Sequence, residues 1–393
     1  MPAVPAVFAD RRLQDIAQAR RMVMAERQPL PAAVLGAQRD WIERSWLRCL
    51  QRGRTPEEKV EFDCVPRSAQ RASQERNQRL LEVASPLLDE LARAIARTRY
   101  FAILTDAQGT VIDVRGALDH ADRRVHCIAR VGVDLSEASI GTSAIGAALS
   151  EHRSVWLHRG EHFYHDTSVY SCAGAPLFGP DGRCIGMLDL TGVEALERPE
   201  LADLAAQVAR RIDNALVLRQ PHALALRVNW PGQEPGSPTD ALLCLDADGW
   251  ICAANRAARA LVPQLASIGA RLHAGEVFAL APQRLFDHAR ASELLDTGPL
   301  EAPLWSGLLV QVRARRAGHD APAPLASARS RMSLQQLQDA LVRQAVEAAR
   351  GNVAEAARAL GISRATVYRK LGTRRARAPA SVPVPAPAAD EDR

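Results

Sequence analysis

The sequence predicts a multidomain α+β protein that ends in an all-α module. Three observations carry that prediction. Apolar runs broken by Asp- and Gly-containing turns recur between residues 100 and 260, in the pattern of strand hairpins. Segments with apolar residues at helical spacing flank the first group of strands. Residues 349–371 hold two short helical patterns joined by a tight turn. A chain of 393 residues is long enough for two or three domains, each burying its own core.

Taken in order, residues 1–75 read as a helical region. Asp40 to Leu50 places Trp41, Ser45 and Arg48 on one helical face and Ile42, Trp46 and Leu50 on another. Residues 76–220 read as an α+β domain. Its first helix, from about Glu75 to Ala96, carries Leu80, Leu81, Ala84, Leu87, Leu88, Leu91 and Ile95 at helical spacing, and suits either a stalk or core packing. Phe101 to Val114 is strand, Asp-Ala-Gln-Gly turn, strand, and Gly174 to Thr191 repeats that pattern around Gly179-Pro-Asp-Gly182. Ser136 to Leu149 reads as one helix between them, and residues 196–219 as a closing helix.

Residues 223–316 read as a second α+β region, with Asp240 to Val262 as strand, Asp-Gly turn, strand and a helix opened by Asn255. The Ala/Pro/Arg-rich stretch Arg313 to Ser330 reads as a linker, with its domain limits set at 317–330. Residues 378–393 have the composition of a disordered tail.

Residues 331–377 carry the helix-turn-helix signature. Asn352 caps the first helix with Glu355 three residues on; Ala356, Ala357 and Leu360 form its apolar stripe, and Gly361 suits the left-handed residue that ends it. Ser363 caps the second helix, where Val367 and Leu371 face inward and basic residues do not. This geometry suits entry into a major groove of double-stranded DNA. Arg364 and Arg369 are the candidates for base-edge contacts, because a guanidinium fork matches guanine O6 and N7; Thr366 adds a base or methyl contact. Ser363, Lys370, Arg374 and Arg375 suit phosphate contacts. Tyr368 either touches the phosphate backbone or packs on the first helix.

Charge agrees with that placement. Arg329 to Arg377 holds eleven Lys or Arg against three acids, a local +8, so the rest of the chain carries −3 within a total of +5. Seven scattered cysteines without a Cys-x-x-Cys pair point to reduced thiols. Cys127, with Arg124, His126 and Arg130 nearby, and Cys172 are either redox thiols or buried and inert. No apolar run approaches the roughly 18 residues of a membrane span, so the expected location is the cytoplasm, with no membrane partner.

Two resemblances follow from motifs. Gly351-Asn352, Ala356-Ala357, Leu360-Gly-Ile-Ser-Arg364 and Thr366 to Leu371 resemble the Fis-type helix-turn-helix at the C-terminus of bacterial enhancer-binding activators. Glu137 to Gly146, Gly160-Glu-His-Phe163, Cys172, Ala175-Pro176 and Leu188-Asp189 resemble the GAF sensor domain of acetoin-catabolism-type regulators. Trp46, Arg48 and Cys49 are similar to that family's Ser-Trp-x-Arg-Cys element. Asp240 to Val262 resembles the start of a PAS domain.

These resemblances imply a ligand-responsive, sequence-specific regulator without enzymatic activity, cofactor or metal, acting as a homodimer on an inverted-repeat operator. They imply a small polar effector such as acetoin, an alcohol or a diol, with Trp156, His162, Phe163 and Cys172 as its candidate lining. Relatives of this kind carry a central AAA+ ATPase that remodels sigma-54 polymerase. This chain has no Gly-x4-Gly-Lys-Ser/Thr loop, and its two lysines, Lys59 and Lys370, follow no glycine loop. The expected partners are therefore RNA polymerase itself or an ATPase-bearing relative. Two other function classes stay open: a metal-binding sensor or enzyme built on the His158-x-x-Glu161-His162 pattern and His165, or an architectural DNA binder without specificity.

Overall fold

The computed structural model describes residues 6–28, 40–267, 271–294 and 297–318, with single positions at 353, 354, 357, 364 and 367. The chain divides into two units, residues 1–320 and 321–393.

In the first unit, helices α1 (Ala6–Arg20), α2 (Asp40–Gln51), α3 (Arg67–Arg76) and α4 (Gln78–Ile95) precede the sheet. Strands β1 (Tyr100–Asp106) and β2 (Val111–Arg115) follow, then α5 (Arg123–Ile128), α6 (Glu137–Ile140) and α7 (Ala144–Glu151), then β3 (Val155–His158), β4 (Tyr170–Phe178) and β5 (Cys184–Val193), and helix α8 (Glu200–Leu218). The sheet is antiparallel with the order β2-β1-β5-β4-β3.

Every residue of β1 is buried, and strand alternation explains why. Phe101 and Ile103 enter a core shared with α1, α2 and α5–α7, while Tyr100, Ala102 and Leu104 enter one shared with α4 and α8. The sheet is thus the middle layer between two helical layers. The region read as helical, residues 1–75, holds α1, α2 and most of α3, and its Ala19, Val23, Trp41, Ile42, Trp46 and Cys49 belong to the same core as β1.

The hairpin turns form as read. Asp106 Oδ1 accepts the backbone N–H groups of Gln108 (3.0 Å) and Thr110 (2.9 Å), and Gly109 supplies the left-handed residue at φ +89°. The segment expected as one helix from Ser136 to Leu149 is two. Gly141 takes φ +68°, and a Cβ there would lie 2.9 Å from the Tyr164 ring, so the chain breaks and restarts at Ser143, whose hydroxyl caps Gly146 N–H at 3.1 Å.

The second sheet follows α8. It comprises β6 (Leu224–Asn229), β7 (Ala241–Leu245), β8 (Ile251–Ala254), β9 (Leu300–Pro303) and β10 (Leu309–Arg316) in the order β8-β7-β6-β10-β9. Helices α9 (Arg256–Leu261), α10 (Ala274–Val277) and α11 (Gln283–Leu294) lie between β8 and β9 in the chain. Asp246 builds the β7–β8 turn as Asp106 does the first, accepting from Asp248 N (3.0 Å) and Trp250 N (2.9 Å). The first residues of the Ala/Pro/Arg-rich stretch, Arg313–Arg316, are strand, in keeping with domain limits at 316 and 317. Arg313–Arg316 complete β10 opposite β6, because Val310, Val312 and Ala314 alternate inward beneath an arginine-rich outer face.

Candidate functional site

A small cavity of about 30 Å³ lies over the first sheet, between β1, β4, β5 and the helical layer of α5–α7. Ile103, Ile128, Leu135, Ile140 and Ile145 make its apolar wall. Its polar groups are His162, Thr167, Tyr170, Cys172, Asp189 and Thr191, with Ser143 at the start of α7.

Burial sets the charge state of these groups. Burial pushes the His162 imidazole down to about 4, so the ring is neutral; its Nδ1 lies 2.9 Å from Arg159 O. Burial pushes the Asp189 carboxyl up to about 7, partly offset by the Thr191 hydroxyl and the Cys172 thiol. The Cys172 thiol is raised well above its ordinary range, first by burial and then by Asp189, which makes it a poor nucleophile. The Tyr170 hydroxyl donates to Arg124 O at 3.0 Å.

Of the four residues proposed from sequence, His162 and Cys172 line this cavity and Phe163 packs beside it in the same core. Trp156 does not join them. Strand β3 sends Val155 and Leu157 toward the cavity side and Trp156 to the opposite face, where its ring lies 6.5 Å from Tyr100. Asp189, Thr191, Tyr170 and Thr167 went unread as lining. Alternation along β5 was the available signal, since Met187, Asp189 and Thr191 fall on one face of the sheet.

The N-terminal helices hold the cavity's rim. Trp46 Nε1 donates to Glu161 O at 2.9 Å. Ser45 Oγ donates to Glu137 Oε2 at 2.7 Å and lies 2.8 Å from Thr142 Oγ1. Arg48 grips both Glu137 oxygens, at 2.9 and 2.7 Å. Arg20 donates to the carbonyls of Gly160 (2.9 Å), His162 and Phe163 (2.9 Å). The Ser-Trp-x-Arg-Cys element therefore has a structural meaning: it fastens α2 to the α6–α7 break and to the 159–163 loop, both of which border the cavity.

The zinc-protease pattern at 158–162 lacks its geometry. That chemistry needs two histidines on one face of a regular helix with a free carboxylate nearby. Here His158 ends strand β3, and the Glu161 carboxylate accepts His158 N–H (2.6 Å) and pairs with Arg12 (2.9 Å). Among the described residues, no three His, Cys, Asp or Glu side chains are placed to hold a metal ion. The seven cysteines are all free thiols.

A second, more open cavity of about 280 Å³ lies where α8 and β4 meet the start of α9. Asp213 sits there nearly fully buried, accepting Phe178 N–H at 2.9 Å, and burial pushes its carboxyl up to about 8. Asn255 ties the same junction, donating to Asn214 Oδ1 and Asp240 O at 2.8 Å each.

These carboxyls predict a pH dependence of stability. Asp189 and Asp213 keep, when folded, a proton that the unfolded chain releases near 3.8, so stability falls as pH rises toward about 7 and about 8 respectively. His162 opposes them only below its unfolded value of 6.5. Between 6.5 and about 8 His162 no longer opposes the carboxyls. The melting temperature should drop there, with a slope of at most about 1.4 kcal/mol per pH unit for each group. Asp213→Asn should flatten the upper part of that window. A thermal melt series that stays level or rises would contradict the assignment.

In the second unit, Val353, Ala354, Ala357, Arg364 and Val367 are helical. Ala357 and Val367 are buried and Arg364 is exposed, as the helix-turn-helix pattern requires. Asn352, Ser363, Thr366, Tyr368, Arg369, Lys370, Arg374 and Arg375 lie outside the described residues, as do the expected linker at 319–330 and the tail at 378–393.

Comparison with known proteins matches both ends. Residues 19–214 fit the family model of the MimR N-terminal domain, and residues 333–372 that of the bacterial regulatory proteins of the Fis family. The chain joins a MimR-type N-terminal domain to a Fis-family helix-turn-helix. The MimR-type match begins within α1 and runs through most of α8, so it takes in the helices that fasten the cavity rim. Among curated proteins the chain is 30% identical over 227 residues to the acetoin catabolism regulatory protein of Cupriavidus necator, covering 56% of this chain and 34% of that protein. It is 25% identical over 215 residues to the acetoin dehydrogenase operon transcriptional activator AcoR of Bacillus subtilis, covering 52% and 34%. It is 31% identical over 140 residues to the propane 2-monooxygenase operon transcriptional activator MimR of Mycolicibacterium smegmatis, covering 35% and 24%. The chain thus spans about a third or less of the length of these relatives. Between its two matched segments lies the second sheet, β6–β10. Among the described residues, no helix is long and apolar enough to cross a membrane.

Proposed function

We propose that this protein is a ligand-responsive, sequence-specific transcriptional regulator. The observation that carries the proposal is the union of a small cavity in a MimR-type domain with a Fis-family helix-turn-helix on one chain. Residues 76–220, with the helices that precede them, act as a GAF-type sensor, and residues 223–316 as a PAS-like relay. Residues 331–377 bind double-stranded DNA as a homodimer. Each recognition helix enters the major groove of one half of an inverted repeat, with half-sites about one helical turn apart. Arg364, Thr366 and Arg369 read bases; Ser363, Lys370, Arg374 and Arg375 hold phosphates; Asn352 caps the module.

The effector is a small polar molecule such as acetoin, an alcohol or a diol, the class suggested by the names of two relatives. It acts by binding one arrangement of the cavity rim better than another, and can shift DNA binding only by that difference in affinity. Lacking a phosphate-binding lysine loop in this sequence, the protein works through RNA polymerase or an ATPase-bearing relative rather than by remodelling polymerase itself.

Genome-wide footprinting of the full chain tests the proposal. Discrete inverted-repeat sites whose occupancy changes with an added acetoin-like compound are expected. Diffuse occupancy with a steep salt dependence would favour an architectural DNA binder instead.

A further inference from the structure

Among the described residues, one residue lining the cavity carries a buried oxygen without a hydrogen-bond partner. Asp189 is fully buried on β5; its Oδ2 accepts the Thr191 hydroxyl, while its Oδ1 has no hydrogen-bond partner. A buried polar atom left without a partner is costly, and native structures usually keep one only where something else meets it. We propose that Asp189 Oδ1 is the anchor of the effector, hydrogen-bonding an oxygen of a small uncharged alcohol or carbonyl compound. This rests on the cavity being the effector site.

Three features of the cavity select that chemistry. First, the residues lining it include no Lys or Arg. Asp189 interacts with the Thr191 hydroxyl and the Cys172 thiol; the other polar residues lining the cavity are Ser143, His162, Thr167 and Tyr170, and none offers a counter-charge. The buried carboxyl is therefore held toward its neutral form, with a value near about 7. Since Oδ2 already accepts from Thr191, Oδ1 is the oxygen left to carry the acid proton and donate it to an acceptor oxygen of the ligand. An anionic ligand would bring a charge into a cavity lined by no cation and is disfavoured. Second, the volume of about 30 Å³ admits only a few heavy atoms; a single water needs roughly 10–15 Å³ on this measure. Third, the remaining wall is apolar, mostly Ile and Leu with Phe62 and Ala144, and suits a short alkyl group.

Calorimetric titration of the full chain with acetone, ethanol and ethylene glycol, and with acetate as the charged isostere of acetone, tests the assignment. A ligand of four heavy atoms binds no tighter than about 40 μM, so the titrations run at millimolar concentration. The neutral probes should bind and acetate should not. Acetone affinity should weaken as pH rises through about 7, as the donor proton is lost. Asp189→Leu should weaken acetone binding at least about tenfold. Asp189→Asn, which keeps a neutral donor, should stay within about threefold of the wild type and lose the pH dependence. If Asp189→Leu fails to fold, Asp189→Asn and the pH profile decide the matter.

The outcomes separate two failures. Wild-type protein that binds none of the neutral probes overturns both the anchor and the cavity's role as effector site for this class. Wild-type binding that is unchanged in Asp189→Leu, or a pH profile retained in Asp189→Asn, overturns the anchor alone. A preference for acetate would overturn the neutral-donor assignment.

Discussion

The Arg364→Ala/Arg369→Ala double variant is expected to lose its discrete DNA sites while remaining folded. Arg364 is exposed on its helix, so truncating it removes no core contact. Each bidentate arginine–guanine pair contributes about 1–3 kcal/mol of discrimination, and a dimer uses each arginine twice. Specific affinity should therefore fall at least about a thousandfold. Non-specific binding should survive in part, because Lys370, Arg374 and Arg375 still offer phosphate contacts. Mobility-shift titrations against a footprinted site and a scrambled duplex separate the two terms. An unchanged preference for the footprinted site would mean that this helix is not the reader.

Trp46→Ala should be the most damaging single change in the sensor. Trp46 is fully buried, belongs to the core under the cavity, and donates to Glu161 O at 2.9 Å. Removing such a side chain leaves a cavity and an orphaned carbonyl, for a loss of about 3–5 kcal/mol. That corresponds to a fall of roughly 6–20 °C in the melting temperature of a domain of this size. Since the indole also pins the 159–163 loop, the effector response should be blunted in whatever fraction remains folded. A loss under about 1 kcal/mol by denaturant titration would show that α2 packs only loosely on the sensor.

Local patterns were the legible part of this sequence. The strand–turn–strand units at 101–114, 174–191 and 240–254 announced themselves because Asp and Gly are needed at fixed turn positions, where carboxylates accept turn N–H groups and glycine takes positive φ. Helix α8 was legible from its period of 3.6. Strand β6 was not, although it is central in the second sheet. Leu224-Ala-Leu-Arg-Val-Asn229 has no turn signal of its own and continues closely from α8. Arg313–Arg316 misled in the opposite direction, since arginine composition hid an alternating strand.

Within the candidate site, His162 and Cys172 could be chosen because polar residues stand out in apolar stretches. Trp156 was misplaced because neighbouring motifs in sequence need not share a face: one residue along a strand reverses its side. Asp189 and Glu137 look alike as carboxylates in the sequence. Glu137 meets Arg48 from a helix 89 positions earlier and is held below the ordinary range despite burial, whereas Asp189 meets no cation and is driven up.

By itself, then, the sequence determined the elements encoded within a few residues: the turns, most helices, the Fis-type pattern at 333–372, and the basic charge of the C-terminal module. Each depends on backbone preferences and side-chain periodicity that act over one or two turns of chain. The tertiary structure alone decided how the N-terminal helices pack on the first sheet, that Trp156 lies across the sheet from the cavity, and that Asp189 Oδ1 is left without a partner. Those facts depend on which distant segments pack together, and packing sets burial, partner and charge state for residues whose local sequence is indifferent to them.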